Sequence, residues 1–338
     1  MGKLSYAHSI FHTKINSIKQ GHQAPAFLTF GRHEMYNAKG SKNDIHQDVT
    51  NNIIEMLDQV DMKDYQPPFA NLAALGIPEN PTTSKRYQGI NILALWFNQK
   101  SKEFQSNKWA SFKQWKEAGS HVKKGEKGTR IIFYKTLVKD NENGNSEDEK
   151  IKIPMLKQYV VFNASQVEGY EDSEKNIIPE CDKVNRLNLV DDFCKNTKAE
   201  IRTGGDRAYY TPIGDYINMP ETSLFYDSEN TSATENYYSV LLHELTHWTG
   251  AKSRLNRDWE KSQKPKEDYA FEELVAELGS AFLCAQHNIN QSHPKNHALY
   301  IKSWLKALRN DKSFIFKAAA QAAKASDYLN ELQEYNPS

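Results

Sequence analysis

Cysteine is scarce in this chain, and several other features are missing altogether. The three cysteines among 338 residues, Cys181, Cys194 and Cys284, are too few and too scattered for a disulfide framework or a thiolate zinc site. No apolar run approaches the roughly 18 residues of a membrane-spanning helix, and the N-terminus has no signal-peptide core. These absences predict a cytoplasmic protein with reduced thiols and no membrane partner.

Net charge is absent as well, because 43 lysines and arginines balance 43 aspartates and glutamates. The whole-chain charge therefore predicts no class of partner. Its distribution is uneven, however, since the stretch between Thr82 and Lys139 carries 13 basic residues and 3 acidic ones. Only this stretch has the charge expected of an anion-binding surface.

The length of the chain indicates two domains of about 150 residues each. Residues 1–45 are polar with little to bury, which predicts a loosely ordered N-terminal arm. We predict a first domain over 46–170, a linker of turn residues over 171–185, and a second domain over 186–338. Each domain is long enough to bury a core of its own.

Periodicity predicts an α+β fold. The spacing of apolar residues from Val49 to Val60 predicts a helix, as does "INILALWFNQK". The β-branched and aromatic run "RIIFYKTLV" predicts a strand that pairs with "IKIPMLKQYVVFN" across the acidic loop "DNENGNSEDE". The second domain begins with a helix at "RLNLVDDFCKN", continues with short strands at "AEIR" and "RAYYTP", and ends with four helical stretches.

The decamer "LLHELTHWTG", residues 241–250, places His243 and His247 four residues apart. On a helix such side chains share a face, so both imidazoles can reach one Zn2+. Glu244 lies about 100° around the helix from His243, where it can act as general base on a zinc-bound water without ligating the metal. The alternative is a pair of core histidines, which is costly beside a further carboxylate.

A catalytic zinc needs a third protein ligand, and "FEELVAELGSAF" offers Glu272, Glu273 and Glu277. The small residues Ala276 and Ser280 share a face with Glu273 and Glu277 and favour close approach to the motif helix. The spacing of Glu273 and Glu277 resembles the gluzincin pair, a ligand glutamate followed four residues later by a group that orients a ligand histidine. This resemblance implies Glu273 as the ligand and Glu277 as the orienting residue.

Such a set predicts zinc-assisted amide hydrolysis, in which Glu244 takes a proton from water and returns it to the leaving amine. The segment "RAYYTPIGDYINMP" is a candidate edge strand for an extended peptide substrate. The candidate oxyanion donors are Tyr209, Tyr210, Arg254, His287 and His293. The sequence does not rank them, and it indicates no small-molecule cofactor.

Aromatic residues interleave with the cations of the basic stretch, a mixture that suits single-stranded nucleic acid. Rings stack on bases of any identity while Lys and Arg neutralise phosphates, so such a surface binds without reading sequence. The predicted DNA-binding residues are Lys85, Arg86, Tyr87, Lys108, Trp109, Lys113, Trp115, Lys123, Lys124, Lys127 and Arg130. The alternative is that the rings form the core of a small domain and the lysines its solvated surface.

Seven blocks of the chain resemble ArdC-type antirestriction proteins of conjugative plasmids and related mobile elements. They are "RYQGINILALWF", "WASFKQWKEAGSHVKKGEKGTRIIFY", "VVFNASQVEG", "YYTPIGDYINMP", "YYSVLLHELTHWTG", "SRLNRD" and "YAFEELVAELGSAFL". The resemblance spans about residues 47–310. It implies an N-terminal domain that binds single-stranded DNA and a C-terminal zincin-like metallopeptidase domain, with His243, His247 and Glu273 as ligands of Zn2+ and Glu244 as the acid/base.

Three functions compete at this point. The first is an antirestriction protein that binds single-stranded DNA and holds zinc. The second is a DNA-dependent protease, whose partners are single-stranded DNA and a DNA-bound protein substrate. The third is a cytosolic peptidase whose basic half is an interaction domain, and failure to bind single strands would favour it.

Overall fold

The structure is a computed structural model that describes residues 45–60, 69–140, 150–171, 183–227, 231–257, 265–290 and 298–333. Its helices are α1 (Ile45–Asp58), α2 (Ala70–Ala73), α3 (Ile90–Ser101), α4 (Phe112–Glu117), α5 (Lys183–Asn196), α6 (Ala233–Trp248), α7 (Pro265–His287), α8 (Ala298–Asn310) and α9 (Phe314–Glu331). Its strands are β1 (Glu79–Asn80), β2 (Lys85–Arg86), β3 (Trp109–Ser111), β4 (His121–Val122), β5 (Thr129–Asp140), β6 (Lys150–Asn163), β7 (Val167–Glu168), β8 (Glu200–Thr203), β9 (Tyr209–Thr211) and β10 (Tyr216–Met219). Within the described ranges no helix has both the length and the apolar character needed to cross a bilayer.

The N-terminal half contains a three-stranded antiparallel sheet in the order β3-β6-β5. The predicted hairpin is confirmed, with β5 paired to β6 from Thr129↔Val161 to Asp140↔Lys150. Asn91 of α3 covers the outer edge of β5, because its amide donates to the carbonyl of Ile132 at 2.8 Å and accepts from the Ile132 N–H at 2.9 Å. This pairing satisfies backbone groups that an edge strand would otherwise expose.

In the described part of the C-terminal half, a small mixed sheet is combined with five α-helices. Strand β10 lies in the middle, parallel to β8 and antiparallel to β9. The two short strands predicted here are confirmed as β8 and β9, and the four predicted helical stretches are α6 to α9. Apart from Ile45, which begins α1, the predicted arm lies outside the described residues, as does most of the predicted linker. Residues 183–185 of that linker belong to α5.

The largest apolar cluster crosses the predicted domain boundary. Leu93 and Trp96 of α3 are fully buried in the same cluster as Leu274 and Leu278 of α7. The Trp96 ring lies 5.9 Å from that of Phe282 between centroids. The helices of the N-terminal half therefore pack directly on the helices that follow the His-Glu-x-x-His segment, and the two halves share this cluster.

Candidate functional site

Helix α6 carries the His-Glu-x-x-His segment and begins at a well-formed cap. The Ser232 hydroxyl accepts from the N–H of Glu235 at 3.2 Å, and the Glu235 carboxylate accepts from the N–H of Ser232 at 3.0 Å. Such a capping box fixes where a helix starts. The helix is buried on all sides towards its C-terminal end, so that His243 and Glu244 lie inside the protein at 1% and 2% exposure.

Helices α6 and α7 approach each other closely at small side chains. A methyl group on Gly279 would lie 2.5 Å from Cγ2 of Thr246, and the Ser280 hydroxyl donates to the carbonyl of Ser239 at 3.1 Å. Glycine and serine at these positions let the two backbones come together. The approach brings Glu273, six residues before Gly279, against the two motif histidines.

His243, His247 and Glu273 form a compact set of buried donors. Their ligand atoms all lie within 4.8 Å of one another. The two Nε2 atoms are 3.1 Å apart, and the Glu273 carboxylate oxygens lie 3.7 Å from that of His243 and 3.6 Å from that of His247. A tetrahedral zinc with bonds of about 2.0–2.2 Å separates its ligand atoms by about 3.3 Å, so two imidazoles and one carboxylate are arranged as such an ion requires.

Glu272, the neighbour of Glu273, contacts a different part of the centre. Its Oε1 lies 3.2 Å from Nδ1 of His247, and its carboxylate accepts two hydrogen bonds from Arg257, at 2.7 and 3.0 Å. A carboxylate on Nδ1 holds that nitrogen as N–H and leaves Nε2 as the electron-pair donor. Glu272 thus lies where it can orient His247, the role that the resemblance to gluzincins implied for Glu277. Glu277 is fully buried one turn after Glu273, and its orienting role stays a prediction.

The pKa values of this buried group depend on the contacts just described. Burial alone lowers the pKa of His247, but Glu272 and Glu273 raise it more, so that the net pKa lies above its usual value. Burial alone raises the pKa of Glu272, but Arg257 and His247 bring it below its usual value. Glu272 is therefore a carboxylate, with Arg257 as its counter-charge.

Sequence reasoning missed two contributors to the centre, Tyr269 and Arg257. Burial, together with the nearby charge of Glu273, raises the pKa of the Tyr269 hydroxyl. Tyr269 comes four residues before Glu273 on α7, a spacing that signals a shared helix face. Arg257 stands in "SRLNRD" after the motif helix, but only its folded position reveals its contact with Glu272.

Arg254 attaches the β9–β10 turn to the end of α6. Its guanidinium stacks on the Trp248 ring at 3.9 Å and donates to the carbonyl of that residue, to Asp215 and to the hydroxyl of Tyr210. These contacts give Arg254 and Tyr210 structural partners.

Of the other candidate oxyanion donors, His293 lies outside the described residues. Strand β9 is at an outer edge of its sheet and beside α6.

The structure divides the predicted DNA-binding residues into two groups. Lys85, Arg86, Lys113, Lys123, Lys124 and Lys127 are exposed and Arg130 is half-buried. Tyr87, Trp109 and Trp115 are buried, with the Tyr87 hydroxyl on the carbonyl of Trp109 and the Trp115 indole on that of Phe162. Lys108 is also buried, 3.5 Å from Glu79. The prediction that these three rings and Lys108 contact DNA is wrong, because their side chains are buried inside the protein.

Both halves of the chain match known protein families. Residues 43–162 match the family described as the N-terminal domain of anti-restriction factor ArdC, and residues 188–321 match a zincin-like metallopeptidase family. The mixed helix-and-strand fold with two such domains is therefore confirmed. A zincin-like domain implies a divalent metal, zinc in the first instance.

Solved structures and protein sequences give the same result. The antirestriction ArdC protein from plasmid R388, in a metal-free crystal structure, is 38% identical, with a TM-score of 0.68 over 86% of this chain and 98% of that one. Its Mn(II)-bound structure is 37% identical, with a TM-score of 0.66 over 87% of this chain and 99% of that one. Protein y4eC of Sinorhizobium fredii is 37% identical over 86% of this chain and 92% of its own length. DNA primase TraC of Escherichia coli is 34% identical over 85% of this chain, which corresponds to only 27% of the primase.

Proposed function

The chain belongs to the ArdC antirestriction family, and on that premise we propose that it binds single-stranded DNA without sequence preference and cleaves peptide bonds with a zinc ion held by His243, His247 and Glu273. The observation that carries the proposal is this buried donor set, in which two imidazole nitrogens and a carboxylate lie 3.1 to 3.7 Å apart. We expect the protein to act in the cytoplasm, where incoming plasmid DNA meets restriction enzymes.

A bound zinc ion would polarise the scissile carbonyl and acidify a water molecule. Glu244 is suited to move the proton, because it lies on the same helix as the two histidines and its charge acts on His247. In the proposed reaction Glu244 accepts a proton from the attacking water and passes it to the leaving amine. Burial of Glu244 keeps bulk water away and strengthens its interaction with the reacting groups.

A peptide substrate would align along β9. This strand is at the edge of its sheet, antiparallel to β10, so its outer backbone groups are available to pair with an extended chain. Arg254 links Asp215 of the β9–β10 turn and Tyr210 of β9 to Trp248, so this edge is held at the C-terminal end of α6, the helix that carries the histidines.

The variant Glu244→Gln, which keeps the side-chain size and removes the base, tests whether DNA protection depends on proteolysis. We expect wild-type metal content, loss of peptide cleavage, and loss of protection of a transferred plasmid in a restricting host. Full protection by Glu244→Gln would mean that proteolysis is dispensable and that the metal serves the fold.

Single-strand binding is tested by fluorescence anisotropy with labelled single- and double-stranded oligonucleotides at low and moderate salt. The proposal requires tighter binding to the single strand, weakened by salt as counterions are released. If the protein does not bind single-stranded DNA, the result would favour the third function, a cytosolic peptidase whose basic half is an interaction domain.

A second candidate function is a protease that acts on DNA-bound proteins. One observation favours it: α7 carries Glu273 on one face, while Leu274 and Leu278 share a core with α3 of the basic half. Cleavage of a protein substrate that speeds up when single-stranded DNA is added would select this candidate.

A further inference from the structure

The outward-facing ring of Phe112 marks a surface that the sequence did not single out. Phe112 is the first residue of α4 and is 57% exposed. It contacts the ring of Phe162 edge to face at 6.4 Å between centroids. Large apolar side chains so far exposed, with a second ring beside them, are typical of binding surfaces.

The neighbours of this pair lie on one face of the N-terminal sheet. Val160 and Phe162 alternate with Val161 in β6, so their side chains point to the same face. Val160 is 46% exposed, and its partner across the strands is Arg130 of β5. The side chains of Val160 and Phe162 approach Gly128 so closely that a methyl group there would lie 2.4 Å from Val160. The residue before β5 therefore borders this face.

A basic loop borders the same rings. Val122, just before the loop, belongs to the cluster that contains Phe162, and Gly128, just after it, contacts Phe162 as well. Between them stand Lys123, Lys124 and Lys127, all exposed. Of the acids nearby, Glu126 accepts from Gln166 and Glu117 pairs with Lys113 at 3.5 Å. The cations remain in excess around the rings.

The opposite face of the sheet provides the contrast. Phe133 and Tyr159 form an exposed edge-to-face pair there, at 5.3 Å between centroids and 48% and 45% exposure. The cation that faces Phe133 across the strands is Lys157. Both faces thus expose aromatic rings, but the lysine loop and Arg130 accompany Phe112.

We infer that the Phe112 face, made of Phe112, Val160, Phe162, Arg130 and the loop 123–127, is the surface on which single-stranded DNA stacks its bases. The inference rests on the proposed single-strand binding and specifies its location. Phe112 and Phe162 offer ring surface to bases, while the loop lysines and Arg130 neutralise phosphates on either side. It replaces the buried rings Trp109 and Trp115 as the stacking residues.

The test uses the full-length protein and a labelled oligodeoxythymidylate in fluorescence anisotropy. Phe112→Ala should weaken binding by about 5- to 150-fold, the loss expected from one stacked base. Phe112→Leu, which keeps apolar volume without a π face, should lose most of the same affinity, and Phe112→Trp should keep it and show indole quenching on binding. Lys127→Ala should lower the salt slope by about 0.7.

Phe133→Ala is the matched control, because it removes the same side chain at similar exposure from the opposite face. The inference requires it to bind like wild type. Wild-type affinity in Phe112→Ala would overturn the inference while leaving single-strand binding intact, as would a larger loss in Phe133→Ala than in Phe112→Ala. Failure of the wild-type protein to bind would instead remove the proposed function itself.

Discussion

Arg257 holds the carboxylate of Glu272 through two hydrogen bonds, from Nη2 to Oε1 at 2.7 Å and from Nε to Oε2 at 3.0 Å. The same carboxylate contacts Nδ1 of His247. Arg257 therefore holds in place the group that orients the His247 ring. Glu273, one residue later, contacts both histidines instead. Two adjacent glutamates therefore have different tasks, which point mutations can separate.

Glu273→Ala should abolish stoichiometric zinc, since it removes one of three donors. Glu272→Ala should retain zinc at saturation but bind it about 10–100-fold more weakly, the effect typical of losing a group that orients a ligand histidine. Metal content after dialysis and competition with a chelator measure both. Loss of zinc in Glu272→Ala with retention in Glu273→Ala would reverse the assignment, and Glu277→Gln in the same assay tests the predicted role of Glu277.

Gly279→Ala should weaken zinc binding and destabilise the fold, although alanine ordinarily stabilises a helix relative to glycine by about 0.5–1 kcal/mol. The added methyl group would lie 2.5 Å from Thr246 and force α6 away from α7. We expect a loss of about 1–3 kcal/mol in the free energy of unfolding, as for other overpacked cores. Thr246→Ala in the same chain should restore much of both properties. A stabilised Gly279→Ala protein would show that the two helices separate at little cost.

Leu93→Ala should lower the free energy of unfolding of the whole chain by about 2–5 kcal/mol. Leu93 is fully buried in the cluster shared with α7, so we expect far-UV circular dichroism and tryptophan fluorescence to report one common transition in urea. Leu189→Ala is the control, because Leu189 is 62% exposed and should change stability by no more than about 0.5 kcal/mol. Two separate transitions in the wild-type protein would contradict a shared core.

His287 should make the fold less stable in mild acid. Burial, helped by the charge of Arg86, lowers the pKa of His287 to about 4 from 6.5. Between these values the unfolded chain binds a proton that the folded protein does not, so the free energy of unfolding should increase as the pH rises from 4 to 6.5, by up to about 3 kcal/mol.

Urea unfolding at several pH values measures this effect. His287→Gln should reduce the gain in stability between pH 4 and 6.5, whereas His121→Gln, which alters an exposed histidine, should leave it unchanged. An identical pH profile in His287→Gln and the wild-type protein would exclude His287 as the source.

Features that depend on local spacing were predictable. The spacing of His243 and His247 puts both on one helix face wherever that helix packs. The hairpin of β5 and β6 follows from two β-branched runs separated by a polar loop, and the structure contains it. The helix α3 was likewise predictable, because its apolar run exceeds the usual length of a strand.

Contacts between distant segments were not predictable in the same way. "RIIFY" does not alternate polar with apolar residues, so the sequence does not reveal that Ile131 is buried while Phe133 is exposed. The same ambiguity made Trp109 and Trp115 look like DNA-binding rings. Trp109 is buried in a cluster with Ile131 and Val161, and Trp115 in a separate cluster with Ala110 and Val167. No local pattern encodes either set of contacts.

Local sequence accounts for the chemistry available to this protein: a helix with two histidines and a base, a glutamate-rich helix to complete the set, and a concentration of cations in the first half. Packing between distant segments accounts for which glutamate faces the histidines, for the positions of Arg257 and Tyr269, for which rings reach solvent, and for the apolar cluster that both halves share. The reason is physical, because spacing along one helix fixes directions around its own axis, whereas distances between elements depend on how closely small residues such as Gly279 let them pack.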